Sequence, residues 1–128
     1  MPEVLVTTTN DRFAQDIQIR GHRLRGDEQV DKGGNDRGPE PHELLLAALG
    51  TCTSMTMRAY SDRKGWPLGA VSVRLTGQTI EGKFVIAKSI TMTGNLDDEQ
   101  RRRLLEIADK CPVHRTLSNP IVIDTREA

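Results

Sequence analysis

The sequence predicts an α+β domain, and three observations carry that prediction. Short alternating runs broken by turn residues fill the N-terminal third. A single stretch, Leu44 to Met57, carries no charge at all. Two longer alternating runs and an amphipathic helical pattern follow it. The expected order is N-terminal antiparallel strands, a long central buried helix, a β-hairpin, a second helix and a C-terminal strand. At 128 residues the chain suits one domain, 1–128.

"VLVTTT" is the first strand and Asn10 to Arg12 the first turn. "FAQDIQI" alternates Phe13, Gln15, Ile17 and Ile19 on one face, Arg20-Gly21 turns the chain, and "HRLRGDE" is a third, polar strand. Gly and Pro punctuate Asp31 to Pro41 so densely that it reads as a loop. Pro41 then suits the first turn of a helix, where a missing N–H costs nothing. Glu43 complements the helix dipole. Apolar and small residues run all round this helix, so it is expected to be interior. It ends near Lys64, with Gly65 as cap and Pro67 just beyond.

Val71, Val73 and Leu75 alternate with Ser72, Arg74 and Thr76. Phe84, Ile86, Ile90 and Met92 share a face of the next run, and Glu81-Gly82 joins the two as a hairpin. In "DDEQRRRLLEIADKC", Asp97 and Gln100 have capping-box spacing. Leu104, Ile107, Ala108 and Cys111 follow the i, i+3, i+4, i+7 pattern of an apolar helix face. Pro112 interrupts that helix, and "IVIDT" is the expected last strand.

Composition removes several function classes. Basic and acidic residues balance at 18 each, so nothing asks for nucleic acid or an anionic membrane as partner. "KGGN" lacks the spacing of a phosphate loop. No stretch has the length and composition of a membrane span or a signal peptide, so a cytoplasmic location is expected. There a permanent structural disulfide is not expected for the two cysteines. With 36% hydrophobic and 3% aromatic residues, the core is thin, which points to a subunit interface that adds apolar burial.

Cys52 and Cys111 are too far apart in sequence for a C-x-x-C redox motif. Either alone reads as a buried, inert thiol. Together they read differently, because both sit where they point inward. Cys52 has Ala48, Leu49, Met55 and Thr56 as helical neighbours, an apolar wall with small residues in it. Two readings of Cys111 stay open. If it caps a new turn beginning at Pro112, a helix N-terminus favours its thiolate; if it ends the preceding helix, the dipole opposes it. A nucleophilic thiol also needs a cation, best an arginine. Arg12, Arg23 and Arg25 on the N-terminal strands and turns, and Arg58 and Arg63 on the helix, are the candidates. Glu43 is the natural carboxylate to orient one. Yet nine residues of helix separate it from Cys52, about 13 Å of rise and roughly half a turn. Either an arginine bridges them or a second subunit supplies one. Cys52, Cys111 and His114 also make a Cys₂His set of the kind that binds zinc, although no ligand to complete a second shell is evident.

"GPEPHELLLAALGTCTSMTMRAYSDRKGWPL" and, far downstream, "LLEIADKCPVHRTL" resemble the OsmC-like proteins, the superfamily of osmotically inducible and organic hydroperoxide resistance proteins, in particular a short branch of it. The likeness runs from about His22 to Thr125. It implies an intertwined homodimer with active sites at the subunit interface. It further implies thiol-dependent reduction of organic hydroperoxides without a cofactor or metal, with Cys52 peroxidatic, Cys111 resolving and a dithiol as reductant. Arg12 or Arg25 would stabilise the reacting charge and Glu43 would orient that arginine. One departure stands out: where the hydroperoxide resistance branch has Glu directly after the helix proline, this chain has His42, and Glu43 follows. It motivates a second reading, a module that binds a small apolar ligand without peroxidase activity.

Overall fold

A computed structural model describes Met1 and residues 3–128. Its contacts divide the chain into two compact units, Met1–Leu46 and Ala47–Ala128.

The first unit is a three-stranded antiparallel sheet in the order β1-β2-β3, formed by β1 (Val4–Thr8), β2 (Gln15–Ile19) and β3 (His22–Gly26). Ile17 of the middle strand lies opposite Val6 and Leu24 and is buried. The loop after β3 contains a short 3-10 turn, Val30–Lys32, and is organised by one buried carboxylate. Asp27 accepts the backbone N–H groups of Glu28, Asn35 and Arg37. The Arg37 N–H above all holds its carboxyl below the usual range, against the opposing effect of burial.

α1 (Pro41–Lys64) begins in this unit and continues into the next. Glu40 and Glu43 cap its start reciprocally, each side chain accepting the other's backbone N–H. Gly65, at φ +67°, ends it. The Gly65 N–H reaches the Asp62 carbonyl and the Trp66 N–H the Ser61 carbonyl, the two bonds of a Schellman motif.

In the second unit, β4 (Val71–Ile80) and β5 (Lys83–Met92) form an antiparallel hairpin in register along their whole length. Its turn, Glu81-Gly82, has positive φ at both residues, which the twist of a tight hairpin requires. α2 (Asp98–Ala108) starts with the Asp97–Gln100 capping box, and a third helix, α3 (Pro112–Leu117), follows a three-residue link. Met57, Leu68, Leu104 and Ala108 make the buried core, walled by Tyr60, Trp66, Val71, Ile90, Met92 and Leu96. Helix and hairpin approach closely at Gly50, where an added Cβ would lie 2.7 Å from Leu75 Cδ1. Among the described residues, no helix is long and apolar enough to cross a membrane.

Two expectations need correction. Burial of α1 all round is found on one stripe only: Leu49, Gly50, Thr53, Met57 and Ser61 are buried, whereas Met55 is 66% exposed. An uncharged surface says what a helix is able to bury, not what one chain supplies to cover it. The C-terminal strand over "IVIDT" is also absent among the described residues, with Val122 86% exposed. A strand exists through its partner, and among the described residues no strand edge pairs with this segment.

Candidate functional site

Cys52 and Thr53 are consecutive on α1, so their side chains diverge by about 100°. Thr53 is fully buried and Cys52 half-buried. Cys111 lies in the link after α2, with extended backbone (φ −68°, ψ 147°), and is the N-cap of α3. The structure thereby decides between the two readings of this cysteine. Pro112 has no N–H to offer, so the first free donors of α3 are those of Val113 and His114. The His114 N–H donates to Cys111 Sγ at 3.3 Å, and the Val113 N–H to Cys52 Sγ at 3.5 Å. One helical turn thus serves both sulfurs. Both thiols are free. Thr53 Oγ1 lies 3.6 Å from Cys111 Sγ, and the Cys52 thiol is a further hydrogen-bonding neighbour of that sulfur.

Beneath the sulfurs sits a cation that the sequence analysis did not single out. Lys88, on β5, has a side chain only 10% exposed. Its Nζ donates to Thr53 Oγ1 at 3.1 Å and to the Ala108 carbonyl at 3.2 Å. It contacts His114 Nδ1 at 3.3 Å, and Asp109 Oδ1 lies 3.6 Å away. An ammonium only donates, so Nδ1 of His114 accepts and the ring proton is on Nε2. Burial pushes the Cys111 thiol up. The Thr53 hydroxyl, the His114 N–H, the Cys52 thiol and the Lys88 charge together outweigh it, and the thiol lies below its ordinary value. Such a sulfur is a ready nucleophile toward a second sulfur.

Next to this cluster is a cavity of about 220 Å³. Leu49, Phe84, Ile86 and Leu117 wall it, and Lys88 and His114 give it a polar edge. Neither cysteine lines it.

The residues that the family resemblance assigned beside the cysteines, Arg12, Arg25 and Glu43, lie in the first unit; Arg58, in the second, donates to the Leu68 carbonyl at 2.8 Å. Arg12 is exposed, at φ +34°, with its guanidinium 4.6 Å from the Phe13 ring centroid. Arg25 is exposed on β3, in register with Asp16. Glu43 is exposed and accepts the Glu40 N–H, which is the helix-start role that its position suggested. Lys88 did leave a signal in the sequence: it stands between Ile86 and Ile90 on the apolar alternation of β5, a charge where a hydrophobe is due. Thr53, Val113 and Asp109 left none, because their part depends on which elements meet. Among the described residues, no group of three or more His, Cys, Asp or Glu is placed to hold a metal ion, Cys52, Cys111 and His114 included. The His114 ring nitrogen that faces the cluster is occupied by an ammonium, which would also repel a cation.

The family model of OsmC-like proteins matches residues 33–126. Among curated proteins none matches the chain. Among solved structures, an OsmC like protein from Mycoplasma pneumoniae has a TM-score of 0.79 at 15% identity, over 92% of this chain and 87% of that one. An organic hydroperoxide resistance protein OsmC from Legionella pneumophila has a TM-score of 0.66 at 18% identity, over 90% of this chain and 88% of that one. The organic hydroperoxide resistance protein OhrB of Bacillus subtilis has a TM-score of 0.63 at 16% identity, over 91% of this chain and 89% of that one. At these identities the likeness is one of fold.

Proposed function

The chain belongs to the OsmC-like family, and from that premise we propose that it is a cytoplasmic, homodimeric, thiol-dependent peroxidase that reduces organic hydroperoxides through Cys52 and Cys111. The observation that carries this reading is the shared first turn of α3, whose consecutive N–H groups reach one sulfur each. Structural neighbours named for organic hydroperoxide resistance support it.

The half-buried Cys52 is the sulfur that a substrate reaches, and the fully buried Cys111 is the resolver. Cys111 is the sulfur held low, with the Cys52 thiol among its donors, so Cys52 passes its proton to that sulfur as it attacks. Cys52 attacks as the anion, the peroxide O–O bond breaks, and the alkoxide leaves as alcohol with the pair's remaining proton. Cys52 is then a sulfenic acid and Cys111 a thiolate. Cys111 attacks the Cys52 sulfur; the S–S bond forms, the S–O bond breaks, and hydroxide leaves as water after taking a proton from solvent. A dithiol returns two electrons and two protons, restoring both thiols and becoming a disulfide itself. Arg12 or Arg25, oriented by Glu43, serves the developing charge on the leaving oxygen across the dimer. Both arginines are exposed in the single chain and open to a partner.

The test is turnover of cumene hydroperoxide with a dithiol reductant. Wild type is expected to turn over, Cys52→Ser to be inactive, and Cys111→Ser to complete the first step and stall as the sulfenic acid. No turnover and no loss of free thiols in wild type would remove the reading.

One observation favours a second reading, a binding module for small apolar ligands. The first unit holds a cavity of about 590 Å³ lined by Val6, Phe13, Ile17 and Leu44. Native mass spectrometry distinguishes the two: a retained lipid-like mass, equally bound by Cys52→Ser, would favour binding.

A further inference from the structure

We propose that Lys88 is the positioning residue for closure of the Cys52–Cys111 disulfide: acting through Thr53, it holds Cys111 as the thiolate that attacks Cys52. This rests on the peroxidase reading for the step it serves, but not for the chemistry of the sulfur.

A nearly buried ammonium is costly unless its protons are all taken. Here three partners take all three: Thr53 Oγ1, the Ala108 carbonyl and His114 Nδ1. None is left for a ligand in the adjacent cavity, so Lys88 acts on what it already touches. Its bond to Thr53 uses an oxygen lone pair and leaves that hydroxyl its own proton. Cys111 Sγ, 3.6 Å away, is the acceptor in reach. A thiolate at Cys111 only accepts, so the hydroxyl then donates to the sulfur while its oxygen accepts from the ammonium. The backbone N–H of His114, whose ring Nδ1 lies 3.3 Å from Lys88 Nζ, is the second donor to that sulfur.

The groups facing Cys111 come from every surrounding element. α1 brings the Cys52 thiol and the Thr53 hydroxyl, β5 brings Lys88, the link after α2 brings Asp109, and α3 brings His114. Only Asp109 opposes an anion. Its carboxylate is 69% exposed and so is screened by water, whereas Lys88 is not. The charge nearest the sulfur, counted by effect, is positive.

The experiment uses the full chain with Cys52→Ser, so that Cys111 is the one thiol. The ultraviolet absorbance of its thiolate is followed against pH. Lys88→Met is expected to raise the midpoint by about one unit, roughly a tenfold loss of thiolate at a given pH below it. Lys88→Arg, which keeps a charge, is expected to restore most of the shift. An unchanged midpoint in a Lys88→Met protein with the wild-type circular dichroism would overturn the inference. Should Lys88→Met fail to fold, Thr53→Val reads the same relay: a raised midpoint supports it and an unchanged one sinks it. With both cysteines present, Lys88→Met is also expected to prolong the life of the Cys52 sulfenic acid, trapped by dimedone after one dose of peroxide. If wild type shows no peroxide chemistry, the peroxidase reading fails while the titration still decides the role of Lys88.

Discussion

Thr53 shows how much hangs on one hydroxyl. It is fully buried, accepts from Lys88 and faces Cys111. Replacing it with Val keeps the shape but leaves an ammonium proton without its acceptor. Thr53→Val is therefore expected to cost about 1–3 kcal/mol of stability, read as a lower urea midpoint, and Thr53→Ser to cost less. Neither threonine nor lysine drew notice as a chemical residue in the sequence, where arginine was the expected cation. Lys88 was the more legible of the two, because a lysine at an inward strand position breaks the apolar alternation. Thr53 was not, because a buried threonine in a helix has no pattern to break.

Elements were read well where the signal is local. The strands of the first unit, the hairpin with its Glu81-Gly82 turn, both long helices and the Asp97–Gln100 box all depend on residues within a few positions of one another. The short α3 was one of two readings left open at Pro112, and which sulfurs its first N–H groups would meet was not legible. Packing between elements is a different matter. At Gly50 helix and hairpin touch through the absence of a side chain. Gly50→Val is expected to force Leu75 aside and destabilise by about 1–3 kcal/mol despite a better helix propensity, measured by chemical denaturation. The loop after β3 depends on Asp27. Because its carboxyl is held below 3.8, the unfolded chain takes up the proton at a higher pH than the fold does. The stabilisation is thus complete above the ordinary carboxylate range and is lost as pH falls through the lower, folded value. The amide resonances of Glu28, Asn35 and Arg37 are expected to move together in that acid range, and Asp27→Asn to abolish the transition.

At the scale of the whole molecule the single chain leaves apolar side chains uncovered. Val4, Leu5, Val6 and Met55 are all more than half exposed, as are Ile121, Val122 and Ile123 in the segment that was expected to be a strand. The proposed homodimer would cover such surface and would give a strand its partner. Light scattering is expected to give twice the chain mass, and Ile121→Asp with Ile123→Asp to yield monomer on dilution, since burying one isoleucine contributes about 1.5–3 kcal/mol. A wild-type monomer at every concentration would refute the dimer. The sequence by itself determined the order of elements from β1 to α2, with most of their caps and turns. Those features follow from periodicity and from backbone donors satisfied within a few residues. Only the tertiary structure decided that Cys111 caps α3, that one turn serves both sulfurs, and that a lysine from β5 reaches Thr53 beside Cys111. Each of these depends on the register in which distant segments meet, and side-chain reach across such a meeting leaves no trace in the spacing of residues along a chain.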